Sequence, residues 1–444
     1  MKAQIEPKIL KGFRDFLPAQ ELVRKEIIRR LEAVFESFGF VPIDTPAIEY
    51  AEILLGKSGG ETEKQVYHFK DQGEREVALR FDLTVPFARF LAQHRHELTM
   101  PFKRYHIAKV WRGEKPHAGR YREFIQCDFD IVGVDNASAD FEIMLVMCRS
   151  LQKQNLTDFR IHFSHRGLIN DFLKKHRLDT DPLEVMRLLD KAKKIPPAEL
   201  QAELVMLCGK DLAEELTTFI QPLPSSHAKL EQLAHLLGPD NSHLARIREI
   251  FQLILSLDLE TYFILDTSIT RGLDYYTGVV FESFICGSEH LGSVCSGGRY
   301  ANLVGLYTPE NISGVGASVG LDRLLTILES RNSLSQTKGR LVVAIPIIDE
   351  ELIPYYHKLA ETIRATGLGV EVFHTRQKLA SQFTLAEKKG IRFAILVGGQ
   401  ELKGNVFHIR DLSQRLNYEN LTQEEMITKL KELAKETNHE KREL

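Results

Sequence analysis

No run of about 18 apolar residues occurs in the 444-residue sequence, so no membrane-spanning helix is expected. The start, MKAQIEPKILKGFRDF, has no apolar core of the kind a secretory signal needs, and none is expected. Cysteine is scarce: five residues, at 127, 148, 208, 286 and 295, with no C-x-x-C pair, which points to reduced thiols in a cytoplasmic chain. A basic excess is missing too. The net charge is −3 and the pI about 6.6, so any nucleic-acid contact rests on local patches. Two phosphate-loop signals fail. GKS at 56–58 ends like a P-loop, but that motif needs glycine at 51, where Ala51 stands. GVGASVG (314–320) spaces its glycines one residue too widely for a dinucleotide fingerprint. The pairs His94/His96 and His162/His165 lack a third ligand at a recognisable spacing, so they read as surface or strand-face histidines rather than a metal site.

What is present is a globular composition, 43% apolar and 27% charged, on a chain long enough for two or three domains. Ile27, Ile28, Leu31, Val34, Phe35 and Phe38 fall at helical spacing in 19–38, with Gly39 as the stop. FVPIDTPAIEY (40–50) carries two prolines and suits an edge or interface strand better than a central one. VYHF (66–69) and VALR (77–80) flank a turn and predict a hairpin. FKRYHIAKVWR (102–112) and YREFIQCDFDIVG (121–133) predict two further strands joined by GEKPHAGR, with a helix at about 138–152 and a strand in DFRIHFS (158–164). Leucine-rich periodic segments make 166–256 a helical insertion, after which strands return at YFILD. A helix is expected at about 316–330, and RNSLSQTKGR (331–340) reads as a linker. Beyond it, LVVAIPI, a helix at 350–366, VEVFH, a helix at 376–388 and FAILVG alternate as β-α-β-α-β, the pattern of a small parallel-rich α/β domain, closed by a helix at 421–438.

Four stretches hold candidate chemistry. Alternation in 123–131 puts Ile125, Cys127, Phe129 and Ile131 on one face and Phe124, Gln126, Asp128 and Asp130 on the other. Either the sheet has one wet face, or it floors a polar ligand pocket. Trp111-Arg112 leads into a loop with Glu114, Lys115, His117, Arg120 and Arg122, and arginines bordering a polar sheet face suit an anionic substrate. Asp82 and Thr84, at the start of a helix, either cap it or receive an ammonium group. RGLDYYTG (271–278), between two apolar runs, is a polar turn or a binding site.

KRYHIAKVWRGEKPHAGRYREFIQCDFDIVG resembles motif 2 of the class II aminoacyl-tRNA synthetases, GVGASVGLDRLL (314–325) motif 3, and FGFVPIDTPAIEY motif 1, with Pro46 as its proline. LRFDLTVPFAR, RGLDYYTG and SGGRYANLVG single out the histidyl-tRNA synthetases within that class, and the resemblance covers about residues 7–440. It implies an α+β fold. An antiparallel sheet of six or seven strands, flanked by helices, carries the active site, a helical insertion interrupts it, and a C-terminal α/β anticodon-binding domain follows. The implied boundaries are 1–165 and 257–330 for the catalytic domain, 166–256 for the insertion, 331–340 for the linker and 341–444 for the anticodon-binding domain. Members are homodimers through motif 1.

The implied substrates are L-histidine, ATP with Mg²⁺, and tRNA(His), with no membrane partner. By resemblance, Arg112 and Arg271 hold the α-phosphate as the catalytic pair and border the amino acid. Glu114, Arg120, Phe124 and Arg323 bind ATP, with Phe124 stacking on adenine. Asp82, Thr84 and Gln126 take the histidine ammonium, Leu83 between them also borders the histidine, and Asp130 and Tyr276, with Tyr275 beside them, read the imidazole. Asp82 and Asp130 stand where many bacterial members carry glutamate, Ala301-Asn302 where Asp-Gly is commoner, and Val279 where threonine is common. Members read an extra 5′ guanosine of tRNA(His) through the motif 2 loop, so GEKPHAGR is its candidate here. The competing reading is a regulatory paralogue of histidine biosynthesis, which binds histidine without charging tRNA. Such proteins lack the C-terminal domain and parts of the motifs, whereas 339–440, Arg112, Arg271 and Arg323 are all present.

Overall fold

A computed structural model describes residues 5–56, 65–117, 119–176, 182–189, 195–269, 276–301, 304–331 and 341–440. Arg271, Tyr275 and the linker from 332 onward lie outside these. The chain divides into two compact units, Met1–Asp15 with Arg24–Leu334, and Phe16–Val23 with Ser335–Leu444. The strands of the first are β1 (Val41–Pro42), β2 (Ile48–Tyr50), β3 (His68–Lys70), β4 (Glu76–Leu79), β5 (Phe102–Trp111), β6 (Glu123–Val132), β7 (Phe159–His165), β8 (Phe263–Leu265), β9 (Val279–Ile285), β10 (Cys295–Tyr300) and β11 (Gly314–Gly320). Those of the second are β12 (Leu341–Ile345), β13 (Gly369–Val372), β14 (Phe393–Leu396), β15 (Phe407–Asp411) and β16 (Leu416–Leu421).

An eight-stranded sheet runs β1-β5-β6-β11-β10-β9-β7-β8, and β2-β4-β3 form a separate small sheet. The expectation of six or seven antiparallel strands is thus corrected by the short edge strands, both of which pair parallel, β1 with β5 and β8 with β7. The long excursions 43–101 and 166–262 bring the chain back in its original direction, as a parallel partner requires. The proline-bearing motif 1 stretch does lie at the edge. The helix expected from 316 begins at Leu321 instead, because Gly314–Gly320 is a central strand between β6 and β10. Its glycines are poor helix formers, and its alternation satisfies two neighbours at once.

The dry face of the sheet packs on residues 24–37 of the helix Pro18–Ser37 and on the helix Ala137–Lys153, whose apolar rows are buried. Phe35 meets Phe129 at a ring separation of 4.9 Å and Tyr105 at 5.6 Å. The Asn136 side chain accepts from Ala139 N at 2.9 Å and caps the second of these helices. Between β7 and β8 the described residues form six helices, from Arg166–Lys175 to Ser242–Ser256, in keeping with the leucine periodicity. In the second unit the sheet order β13-β12-β14-β15-β16 has a parallel half and an antiparallel hairpin, β15 and β16, which apolar alternation did not announce. No described helix is long and apolar enough to cross a membrane.

Candidate active site

The register of the large sheet decides which side chains share its wet face. Arg104 and His106 on β5 lie opposite Asp130 and Asp128 on β6, which lie opposite Gly316 and Ser318 on β11. Gly298 and Ser296 on β10 continue the row. A cavity of about 1160 Å³ opens over this face. Asp82, Thr84, Arg112, Glu114, Arg120, Phe124, Gln126, Asp130, Tyr276 and Arg323 all line it, so the expected site residues within the described chain converge, with one exception. Leu83 is fully buried and is not in the lining.

Part of the cavity lining is acidic. Asp82 Oδ1 accepts from Val85 N at 3.1 Å, in the first turn of the helix Thr84–Gln93, while Oδ2 is buried without a hydrogen-bond partner. One oxygen thus serves the helix start and the other is left without a donor. Burial pushes its carboxyl up to about 6. Asp130 accepts from the Tyr300 hydroxyl at 2.9 Å and forms an ion pair with Arg104 at 2.6 Å. Arg104 is fully buried and lies 4.2 Å over the Phe87 ring. Burial still raises the Asp130 carboxyl despite that cation. A β-carbon on Gly316 would fall 2.0 Å from Asp130 Oδ1, so only glycine leaves room for this carboxylate. A β-carbon on Gly298 would meet Tyr276 Cδ1 at 2.9 Å.

The same lining gathers arginines, with Arg112 close enough to Asp82 to oppose the rise of its carboxyl. Arg112 Nε donates to the Phe81 carbonyl at 2.9 Å, and its guanidinium lies 5.2 Å from the Phe124 ring and 4.0 Å from Glu114. Arg120 pairs with Glu114 at 2.9 Å. Arg323 donates to the Ser293 carbonyl. Burial, then the charges of Arg120 and Arg112, make Arg323 easier to deprotonate than usual. Three guanidinium groups lining one cavity suit a polyanion. Asp322, from the same turn as Arg323, accepts from Ile125 N at 2.8 Å and from Arg14 at 2.6 Å, pinning the start of β6.

Sequence reasoning passed over Arg104, Tyr300 and Ser318, which reach the site through cross-strand register. It also set aside His162, whose Nδ1 lies 2.7 Å from Asp266 in the same cavity. His165 stacks on His243 at 4.5 Å and accepts from Gly167 N at 3.0 Å. No metal-binding cluster occurs among the described residues. All five cysteines are free.

Acceptors for a cation and arginines for a polyanion within one cavity, on a largely antiparallel sheet, are what a class II aminoacyl-tRNA synthetase needs to join an amino acid to a nucleotide. Residues 12–324 match the family described as histidyl-tRNA synthetase, and residues 341–433 match an anticodon binding domain. A histidine–tRNA ligase of Treponema denticola is 48% identical over 406 residues, 89% of this chain and 90% of that protein. One from Helicobacter pylori is 39% identical over 417 residues, 92% and 94% of the two chains. The crystal structure of histidyl-tRNA synthetase from Nostoc sp. PCC 7120 superposes with a TM-score of 0.87 at 30% identity, covering 97% of this chain and all of that one. The chain belongs to the histidyl-tRNA synthetase family. A Bacillus halodurans structure described as an ATP phosphoribosyltransferase regulatory subunit/histidyl-tRNA synthetase shares the fold at 22% identity and a TM-score of 0.73. Fold alone therefore does not separate enzyme from regulator.

Proposed function

We propose that this histidine–tRNA ligase forms histidyl-adenylate in the cavity over β6 and β11, with histidine against the buried carboxylates and MgATP along the arginines. The observation that carries the reading is the mixed lining of one cavity: buried acceptor oxygens without donors, together with Arg112, Arg120 and Arg323. The histidine carboxylate attacks the α-phosphorus, the bond to the bridging oxygen breaks, and pyrophosphate leaves. A terminal ribose hydroxyl of tRNA(His) then attacks the histidyl carbonyl, and AMP leaves.

An anion attacks an anion in the first step, so positioned cations do most of the work. Arg112, and Arg271 from the segment beyond the described residues, take the α-phosphate. Arg323, Arg120 and Glu114 hold the rest of ATP, and Phe124 stacks on the base. Asp82, Thr84 and Gln126 face the ammonium, with Leu83 contributing backbone only. Asp130 and Tyr276 read the imidazole, with Tyr275 beside them. Both Asp130 oxygens are engaged by Tyr300 and Arg104, yet each keeps a lone pair for a ring N–H. Mg²⁺ enters with ATP, which supplies most of its oxygen ligands.

We keep 1–165 with 257–330 as the catalytic domain, 166–256 as its insertion and 341–444 for the anticodon. The loop 113–120 is the proposed reader of the tRNA acceptor end. A homodimer through motif 1 is supported by Val41, Ile48, Tyr50 and Phe69, all exposed apolar side chains. The reaction serves cytoplasmic protein synthesis. Charging of tRNA(His) with labelled histidine tests the whole reading. The wild-type chain charges, and Arg271→Ala lowers histidine-dependent pyrophosphate exchange by roughly 10²-fold or more. Histidine binding without charging would instead make the chain a regulatory paralogue.

A further inference from the structure

One buried carboxylate in the cavity has no part in the roles above. Asp128 sits on β6 between Gln126 and Asp130, 2% exposed, and lines the cavity. Its Oδ1 is buried without a hydrogen-bond partner. Across the sheet, its register partner is Ser318, whose hydroxyl lies close enough to lower the Asp128 carboxyl against the effect of burial. Ser318 Oγ accepts from Gln126 Nε2 at 3.1 Å. A hydroxyl has one proton, so with its oxygen accepting from Gln126 that proton is left to turn toward Asp128. The Gln126 amide is thereby turned with its nitrogen on Ser318, and its Oε1 is left buried without a donor.

Asp82 Oδ2, Gln126 Oε1 and Asp128 Oδ1 are thus three buried acceptors in one cavity, each lacking a donor. Leaving such groups unmatched is costly, and a primary ammonium brings three N–H donors and a positive charge. The local charges point the same way. Arg104 forms its ion pair with Asp130 and makes no hydrogen bond to Asp128, although its charge opposes the rise of the Asp128 and Asp82 carboxyls. His106, opposite Asp128 on β5, is held near 4 by burial and by Arg104 and Arg80, so it is neutral at physiological pH. Burial, with Asp130 and Asp82 adding to it and Arg104 opposing, pushes the Asp128 carboxyl up to about 7.

We propose that Asp128 is a third carboxylate of the amino-acid pocket: its Oδ1 accepts from the substrate's α-ammonium group, and through Ser318 it keeps the Gln126 amide oxygen facing the same group. This rests on the histidine-pocket reading above. The test compares wild type with Asp128→Asn and Ser318→Ala, by calorimetric binding of three ligands. L-Histidine and L-histidinol carry the ammonium, and imidazolepropionate lacks it. Asp128→Asn is expected to weaken the first two about 10-fold or more, the scale of a lost hydrogen bond to a charged group, and the third less than about 2-fold. Ser318→Ala, which keeps the carboxylate, shows the same selectivity at about 3-fold. Equal weakening of all three ligands, or of none, overturns the assignment. If Asp128→Asn does not melt cooperatively, Ser318→Ala decides, and an unselective effect there overturns it too. A wild-type chain that binds none of the three sinks the histidine-pocket reading itself, and Asp128 with it.

Discussion

Strand β6 has two faces, both well buried at their centre, that obey opposite rules. Cys127, Phe129 and Ile131 are at most 1% exposed and carry no unmet polar atom, and Phe129 packs between Phe35 and Phe40. Asp128 and Asp130, at 2% and 3%, are as hidden, yet their carboxyls are raised and oxygens on both lack hydrogen-bond donors. Burial by itself does not distinguish a core from a site. Satisfaction of the buried polar atoms does. One face contributes stability, and the other spends some of it to be ready for a ligand.

Mutations on the two faces should separate cleanly. Phe129→Ala empties the dry face and costs about 3–5 kcal/mol in urea unfolding, with the KM for histidine of the folded fraction unchanged. Arg112→Ala does the reverse. Pyrophosphate exchange falls about 10²- to 10³-fold while the melting temperature moves by no more than about 2 °C. The smallest effect is on pH dependence. Asp82 and Asp128 have carboxyls raised to about 6 and about 7, so the folded chain holds protons that the unfolded chain has lost. Their contribution to stability is full below about pH 4 and is lost as pH rises through 6 to 7. The melting temperature of the unliganded protein should therefore carry a downward component across that window, and Asp128→Asn should flatten it. An unchanged slope in the variant would mean that Asp128 is already ionised there.

Much of this contrast is legible in the sequence. Strict alternation at 124–131 separates the two faces before any coordinate is known, and Arg112, Arg323 and Asp82 stand out by their company. Arg104 is illegible because its role depends on pairing with Asp130, which follows from the hairpin register and not from either strand alone. Ser318 is further removed, since its partner Gln126 is 192 residues away. The small apolar residues of Gly314–Gly320 have no clear period, so the helix expected from 316 overlaps this strand, and the neighbouring strand β6 reveals why glycine is needed at 316. Arg271 and Tyr275 remain assigned by motif, outside the described residues.

The Arg104–Asp130 pair has a consequence for ionic strength. Both groups are almost fully buried, so the field they set is screened much less than an exposed pair's would be. The chain as a whole is mildly acidic, and its hold on a polyanionic tRNA must come from exposed cations whose counterion balance shifts with salt. Raising potassium chloride from about 50 to 200 mM should leave the KM for histidine nearly flat while the KM for tRNA climbs steeply. Salt would then work as a dial that turns down charging and leaves amino-acid recognition untouched.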